Sequence, residues 1–185
     1  MRRYYLFLSE SPLDQEAFSK ALACFKIEPE INFVSEKGCY FVGDSSFALA
    51  VEAALHSLKD SRIACLISHD QSYFSRKTLS EALGYFPNRV SYLSDIFLKQ
   101  MSFGDFGYLR ELSSIFRGLD KELLATGSAF LSSGLDIQRA AESLFVHRNT
   151  MTHRLDSIYE KTGLDIRDYH DALLLELYLK MSPQR

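Results

Sequence analysis

The stretch Ile137 to Leu155, IQRAAESLFVHRNTMTHRL, decides how the C-terminal third of this chain folds. Ala140, Ala141 and Leu144 fall at i, i+1 and i+4, so Ala141 and Leu144 share one face of a helix, and the small alanine lets a second helix approach. Val146 is expected to break that helix and fill the space beneath a tight corner. A second run follows, with Met151, Leu155, Ile158 and Tyr159 at i, i+4, i+7 and i+8, while Arg148, Asn149, Thr152, His153 and Asp156 fall on the opposite face. Two short helices around a corner, the second presenting Arg, Asn, Thr and His outward, form the unit that a helix-turn-helix uses to enter a major groove.

The recognition helix is expected over about residues 147–162. Arg148 and Asn149 stand at its first turn, the part that reaches base edges, and Arg to guanine or Asn to adenine gives a pair of hydrogen bonds. His147 either braces the corner or contacts DNA. Thr152 and His153 are further contact candidates. Arg154, beside a buried Leu155, either pairs with Glu142 or Asp156 or holds a phosphate, and Arg139 and Thr150 are phosphate candidates by position.

The same residues carry a resemblance. Ala140-Ala141, Leu144, Val146, Arg148, Thr150-Met151 and Arg154-Leu155 resemble the helix-turn-helix of Fis-type proteins. His147-Arg148-Asn149-Thr150 and the later Thr162-Gly163-Leu164-Asp165 are closer still to the C-terminal domain of PucR-type regulators, the group that includes the sugar-diacid regulators. The resemblance spans about Leu123 to Leu179 and implies a transcriptional regulator that binds double-stranded DNA as a homodimer. Phe145 stands where a glycine often closes the corner, which implies a slightly different turn. In sugar-diacid members a degenerate GGDEF-like domain precedes the helix-turn-helix. No GGDEF-like tetrapeptide occurs here, Gly43-Asp44 does not replace one, and cyclase activity is not carried over. The N-terminal half is expected to serve as a packing or dimerisation platform.

Charge constrains how DNA could be held. The net charge is −3. Residues 1–119 carry thirteen Lys and Arg against fourteen Asp and Glu, and residues 120–185 carry eight against ten. Non-specific affinity comes largely from phosphate neutralisation, so neither half relies on diffuse attraction. Ile137 to Leu155, however, holds Arg139, Arg148 and Arg154 against Glu142 alone.

Around this core the chain reads as α+β followed by all-α. Arg3 to Ser9 is β-prone, and Ser11-Pro12 begins a helix striped by Leu13, Ala17, Ala21 and Phe25. Ile31 to Ser35 and Cys39 to Val42 flank Glu36-Lys37-Gly38 as a hairpin. Ser45 or Ser46 caps a helix through Phe47, Val51, Ala54, Leu55 and Leu58. Ile63 to Ile67 is a continuous apolar run, the pattern of a central strand covered on both faces. Thr78 to Phe86 reads as a helix and Arg89 to Leu93 as a strand. The division is a short mixed sheet with helices over 1–95, a helical connector over 96–119 and the helix-turn-helix domain over 120–181, with Asp120 to Leu131 as its first helix, Asp136 capping the next, and a last helix opened by Asp168. Its Ala172 to Leu177 run is expected to be buried in its own domain or against a second chain. Ser182 to Arg185 reads as a frayed tail.

Catalysis finds little support. Ser68-His69-Asp70 contains three triad residue types, but neighbours at a strand end point apart. The five histidines show no metal-ligand spacing, and the nine glycines form no phosphate loop. No enzyme, metal or cofactor is expected. The partners expected are duplex DNA and a second copy, and the place of a small-molecule effector is left open. Cys24, Cys39 and Cys65 are odd in number and flanked by apolar residues, which points to buried free thiols. No run approaches the roughly 18 apolar residues of a membrane span, and a cytoplasmic protein is expected.

Overall fold

The computed structural model describes residues 2–58 and 61–181; the tail at 182–185 lies outside the described residues. The chain divides into two compact units, Met1–Ser102 and Phe103–Arg185.

The first unit is built on a five-stranded sheet, β1 (Arg2–Ser9), β2 (Asn32–Phe33), β3 (Gly38–Asp44), β4 (Ile63–Ser68) and β5 (Val90–Tyr92), in the order β2-β3-β1-β4-β5. Only β4 and β5 run parallel; β1 is antiparallel to both β3 and β4, with Leu6 opposite Tyr40 on one side and Leu66 on the other. Every residue of β4 is buried, as its unbroken apolar run requires of a strand covered on both faces. Alternation explains the sides. Tyr5, Phe7, Phe41, Ile63, Cys65 and Ile67 join Phe18 and Leu22 of α1 (Gln15–Cys24) and Val51 and Leu55 of α2 (Ala48–Ser57) in one apolar cluster. Leu6, Ala64 and Leu66 point the other way, and α3 (Tyr73–Tyr85) packs on β1 and β4 and against α4 (Leu93–Ser102).

Several expectations shift. The first helix does not start at Ser11-Pro12 but at Gln15, because the Asp14 carboxylate accepts the N–H groups of Glu16 and Ala17. Neither Ser45 nor Ser46 caps α2, which starts at Ala48 without a side-chain cap; Asp44 instead caps the short 3-10 turn Ser45–Phe47 before it, and accepting the Ser46 N–H helps hold its carboxyl down at about 2. Gly43 has a packing reason of its own, since a side chain there would meet the ring of Phe47 at 2.9 Å. The helix expected at Thr78 begins at Tyr73, with Ser72 as its cap. At the β5 edge, Glu52 accepts the Val90 N–H at 2.9 Å and Asp95 accepts that of Tyr92 at 2.8 Å, so carboxylates cover donors that could recruit another strand. Cys39 and Cys65 are buried, and burial raises both thiols, Cys39 to about 12; Cys24, contrary to expectation, is exposed.

The second unit comprises α5 (Leu109–Phe116), α6 (Lys121–Ser132), α7 (Ile137–Ser143), α8 (Arg148–Thr162) and α9 (Tyr169–Met181). Leu112, Phe116, Leu123, Phe130, Met151, Leu155, Ile158, Leu174 and Leu175 form its buried core. Gly127 of α6 faces Leu175 of α9 so closely that a Cβ would lie 2.6 Å from Leu175 Cδ2. Among the described residues no helix is long and apolar enough to cross a membrane.

Candidate nucleic-acid interface

The corner between α7 and α8 is defined by its caps. Asp136 Oδ1 accepts the Arg139 N–H at 3.0 Å and starts α7. At the other end, the Phe145 N–H donates to Glu142 O at 3.1 Å and the Val146 N–H to Ala141 O at 3.0 Å, the paired bonds of a Schellman closure. Phe145 takes φ 55°, so the turn is not the different one expected of a bulky residue; phenylalanine adopts the left-handed conformation that glycine would. Ala140 and Ala141 are both buried and let α8 close in, whereas Leu144 and Val146 are half-buried.

His147 caps α8. Its Nδ1 accepts the Asn149 N–H at 3.2 Å, so the ring bears its proton on Nε2 when neutral. Arg148, Asn149 and Thr150 follow, all exposed, at the end of the helix where the backbone N–H groups and the helix dipole favour an anion. Arg148 makes no ion pair among the described residues. Thr152 is half-buried, and its hydroxyl donates to Arg148 O at 3.1 Å, back onto its own helix; His153 is exposed. Tyr159, placed on the apolar stripe by its spacing, is 42% exposed.

Arg154 is placed differently from either expected pairing. It bonds Glu122 on α6, not Glu142 or Asp156, and its side chain is 23% exposed. Asp156 instead pairs with Arg167, whose guanidinium also donates to Thr152 O at 3.4 Å. Sequence spacing had no access to Arg167, which lies in the loop before α9 and reaches back over eleven positions to Asp156. Arg139 extends into solvent with its Nε 3.9 Å from Asp136. The corner thus gathers His147, Arg148, Asn149 and Thr150, while Arg154 is turned toward α6. Asp120 caps α6 through the Leu123 N–H and lies 3.6 Å from Lys161 at the end of α8; these contacts lower its pKa.

The Ser68-His69-Asp70 stretch is a strand exit bound to the next helix. Ser75 Oγ donates to Asp70 Oδ1 at 2.6 Å and lies 2.9 Å from Ser68 Oγ, and His69 Nε2 is 3.8 Å from Asp70 Oδ2. Burial lowers the His69 pKa despite that carboxylate. Among the described residues no three His, Cys, Asp or Glu side chains group as metal ligands.

The bonded corner, small-residue helix contact and polar first turn define a helix-turn-helix. Residues 123–181 match, more narrowly, the family described as the PucR C-terminal helix-turn-helix domain. Over 63 residues, 34% of this chain, the sequence is 36% identical to the carbohydrate diacid regulator of Escherichia coli (strain K12), and over 62 residues it is 37% identical to the purine catabolism regulatory protein of Bacillus subtilis (strain 168). The matched segments make up 16% and 12% of those proteins. The chain is also similar, over 97% of its length and 78% of the other chain, to the crystal structure of a regulator of polyketide synthase expression from Bifidobacterium adolescentis, at 21% identity and a TM-score of 0.47.

Proposed function

We propose that this chain is a cytoplasmic, sequence-specific transcriptional regulator that binds duplex DNA as a homodimer through α7 and α8. The observation that carries this is the exposed first turn of α8, where Arg148 and Asn149 project beside a helix N-terminus in a PucR-type helix-turn-helix. The named relatives are regulators, which supports the same role. Arg148 and Asn149 read base edges, Arg139, Thr150 and the α8 N-terminus hold phosphates, and His147 presents Nε2–H to the backbone while capping with Nδ1. Thr152 and His153 lie one turn further in and reach bases only where the helix seats deeply. Arg154 acts mainly as a brace to α6. A second copy places a second α8 about one helical turn of DNA away, roughly 34–36 Å. The first unit serves as the platform for packing or dimerisation.

The test is selection of bound duplexes from a random pool with the purified chain, followed by a salt titration. Enrichment of a two-half-site sequence, with affinity falling steeply as salt rises, is expected. Absence of enrichment together with no retention on bulk DNA at low salt would reject DNA binding and favour a helix-turn-helix kept as a folding unit in a scaffold.

A further inference from the structure

Four helix ends show how unusual Phe145 is. Helix α6 closes with the Gly134 N–H on Leu131 O and the Leu135 N–H on Phe130 O, both at 3.0 Å; Gly134, φ 69°, is followed by a second left-handed residue, Leu135, φ 63°, whose side chain is half-buried. Helix α8 ends on Gly163, φ 73°. Helix α1 closes with the Lys26 N–H on Ala23 O and the Ile27 N–H on Leu22 O; Lys26 has φ 60°, and its charge suits a helix C-terminus. At the end of α7 the same closure puts Phe145 in the left-handed region, where a Cβ is strained and glycine is not. The closing hydrogen bonds need only the backbone, and the side chain buries almost nothing in return. The ring is 97% exposed, the most exposed of the large apolar side chains described. Strain of this kind persists where function holds it.

Its surroundings indicate what covers it. Glu142, Ser143, His147 and Arg148 are exposed, and Leu144 and Val146 turn partly inward. A protein partner needs a contiguous apolar patch, and here there is a single ring on polar ground. A duplex offers the matching target, a thymine methyl or the face of a deoxyribose among phosphates and polar base edges. The ring stands two residues before the cap of α8 and three before Arg148, at the end of the helix that bears the base-reading candidates.

We propose that Phe145 is a DNA-contacting residue that packs against a thymine methyl or deoxyribose at the rim of the half-site read by Arg148 and Asn149. This rests on the DNA-binding function proposed above. The test uses the full chain and a duplex that the wild type selects from a random pool, with variants Phe145→Gly, Phe145→Asn and Phe145→Tyr compared by fluorescence anisotropy and thermal melting. Gly and Asn both accept the left-handed conformation, so melting temperature should be unchanged or raised, while affinity falls about tenfold, about 1.4 kcal/mol. Tyr should retain affinity. Replacing each thymine by deoxyuridine in turn removes its methyl: a loss for wild type that Phe145→Gly does not share supports the methyl, and equal wild-type binding to every such duplex supports the sugar. Gly and Asn variants that bind within twofold of wild type overturn the proposal. Loss by Phe145→Tyr equal to that of Gly also overturns it. In either case selection by the wild type and its loss in Arg148→Ala would leave DNA binding standing, whereas no selected duplex at all would remove both.

Discussion

Replacing Arg148 and Arg154 separately by alanine distinguishes a base-reading arginine from a bracing one. Arg148 is exposed at the first turn of α8 and makes no ion pair among the described residues, so its loss removes nothing that holds the fold. Surface substitutions of that kind change stability by about 0.5 kcal/mol at most. A base-reading Arg contributes about 1–3 kcal/mol to discrimination, so Arg148→Ala should lower affinity for the selected duplex about 5- to 150-fold, with little loss on unrelated DNA. Arg154 is the reverse. Its ion pair with Glu122 joins α8 to α6, with side chains 23% and 64% exposed, and a pair so accessible to water is worth about 0.2–1 kcal/mol. In a unit of this size, 1 kcal/mol corresponds to about 4–8 °C in melting temperature, which bounds the destabilisation expected of Arg154→Ala. Its effect on DNA should be small and follow stability. The assay is anisotropy with the selected duplex from low to moderate salt, beside thermal melts of each variant. The deciding quantity is the salt slope, which drops by about one for each lost phosphate contact. An Arg154→Ala protein that melts like wild type and loses one unit of slope would show Arg154 on a phosphate and refute the bracing role. An Arg148→Ala protein with unchanged specific affinity would refute base reading.

Three further outcomes follow from the same contacts. Gly127→Ala gains about 1 kcal/mol of helix propensity, but its Cβ would meet Leu175 Cδ2 at 2.6 Å in a buried site where overpacking costs about 1–3 kcal/mol, so urea unfolding should show a net loss of up to about 2 kcal/mol; a stabilised protein would disprove the close approach. His147→Asp should raise stability by about 0.5–1 kcal/mol, since a carboxylate caps better and suits the helix dipole, yet weaken DNA binding by adding negative charge at the phosphates, and equal DNA affinity in an anisotropy titration would remove His147 from the interface. The lowered pKa of Asp120 means that its carboxylate stabilises the fold above the ordinary carboxylate range and that this is lost as pH falls through the depressed value; thermal melts of Asp120→Asn should therefore decline less than wild type below about pH 4, and parallel pH profiles would count against it.

What the sequence determined by itself is local. Helical periodicity located α7 and α8, an unbroken apolar run identified β4 as covered on both faces, and Asp136 and Asp120 announced helix starts three residues ahead of the N–H groups they accept. Each of these depends on residues within a turn or two of one another. The tertiary structure decided what depends on distant partners. The strand order β2-β3-β1-β4-β5 pairs β1 with residues about thirty or more positions away, and no spacing encodes which edge each takes. Arg154 had Glu142 and Asp156 within reach along the chain, but the packing of α6 against α8 brought Glu122 nearer and left Asp156 to Arg167. Cys24 lay in an apolar context yet on the exposed side of α1. Phe145 shows the division most plainly: its bulk argued for a different turn, whereas the hydrogen bonds that close α7 compel a left-handed residue at that position whatever its side chain, and so set an aromatic ring in water beside the N-terminus of α8.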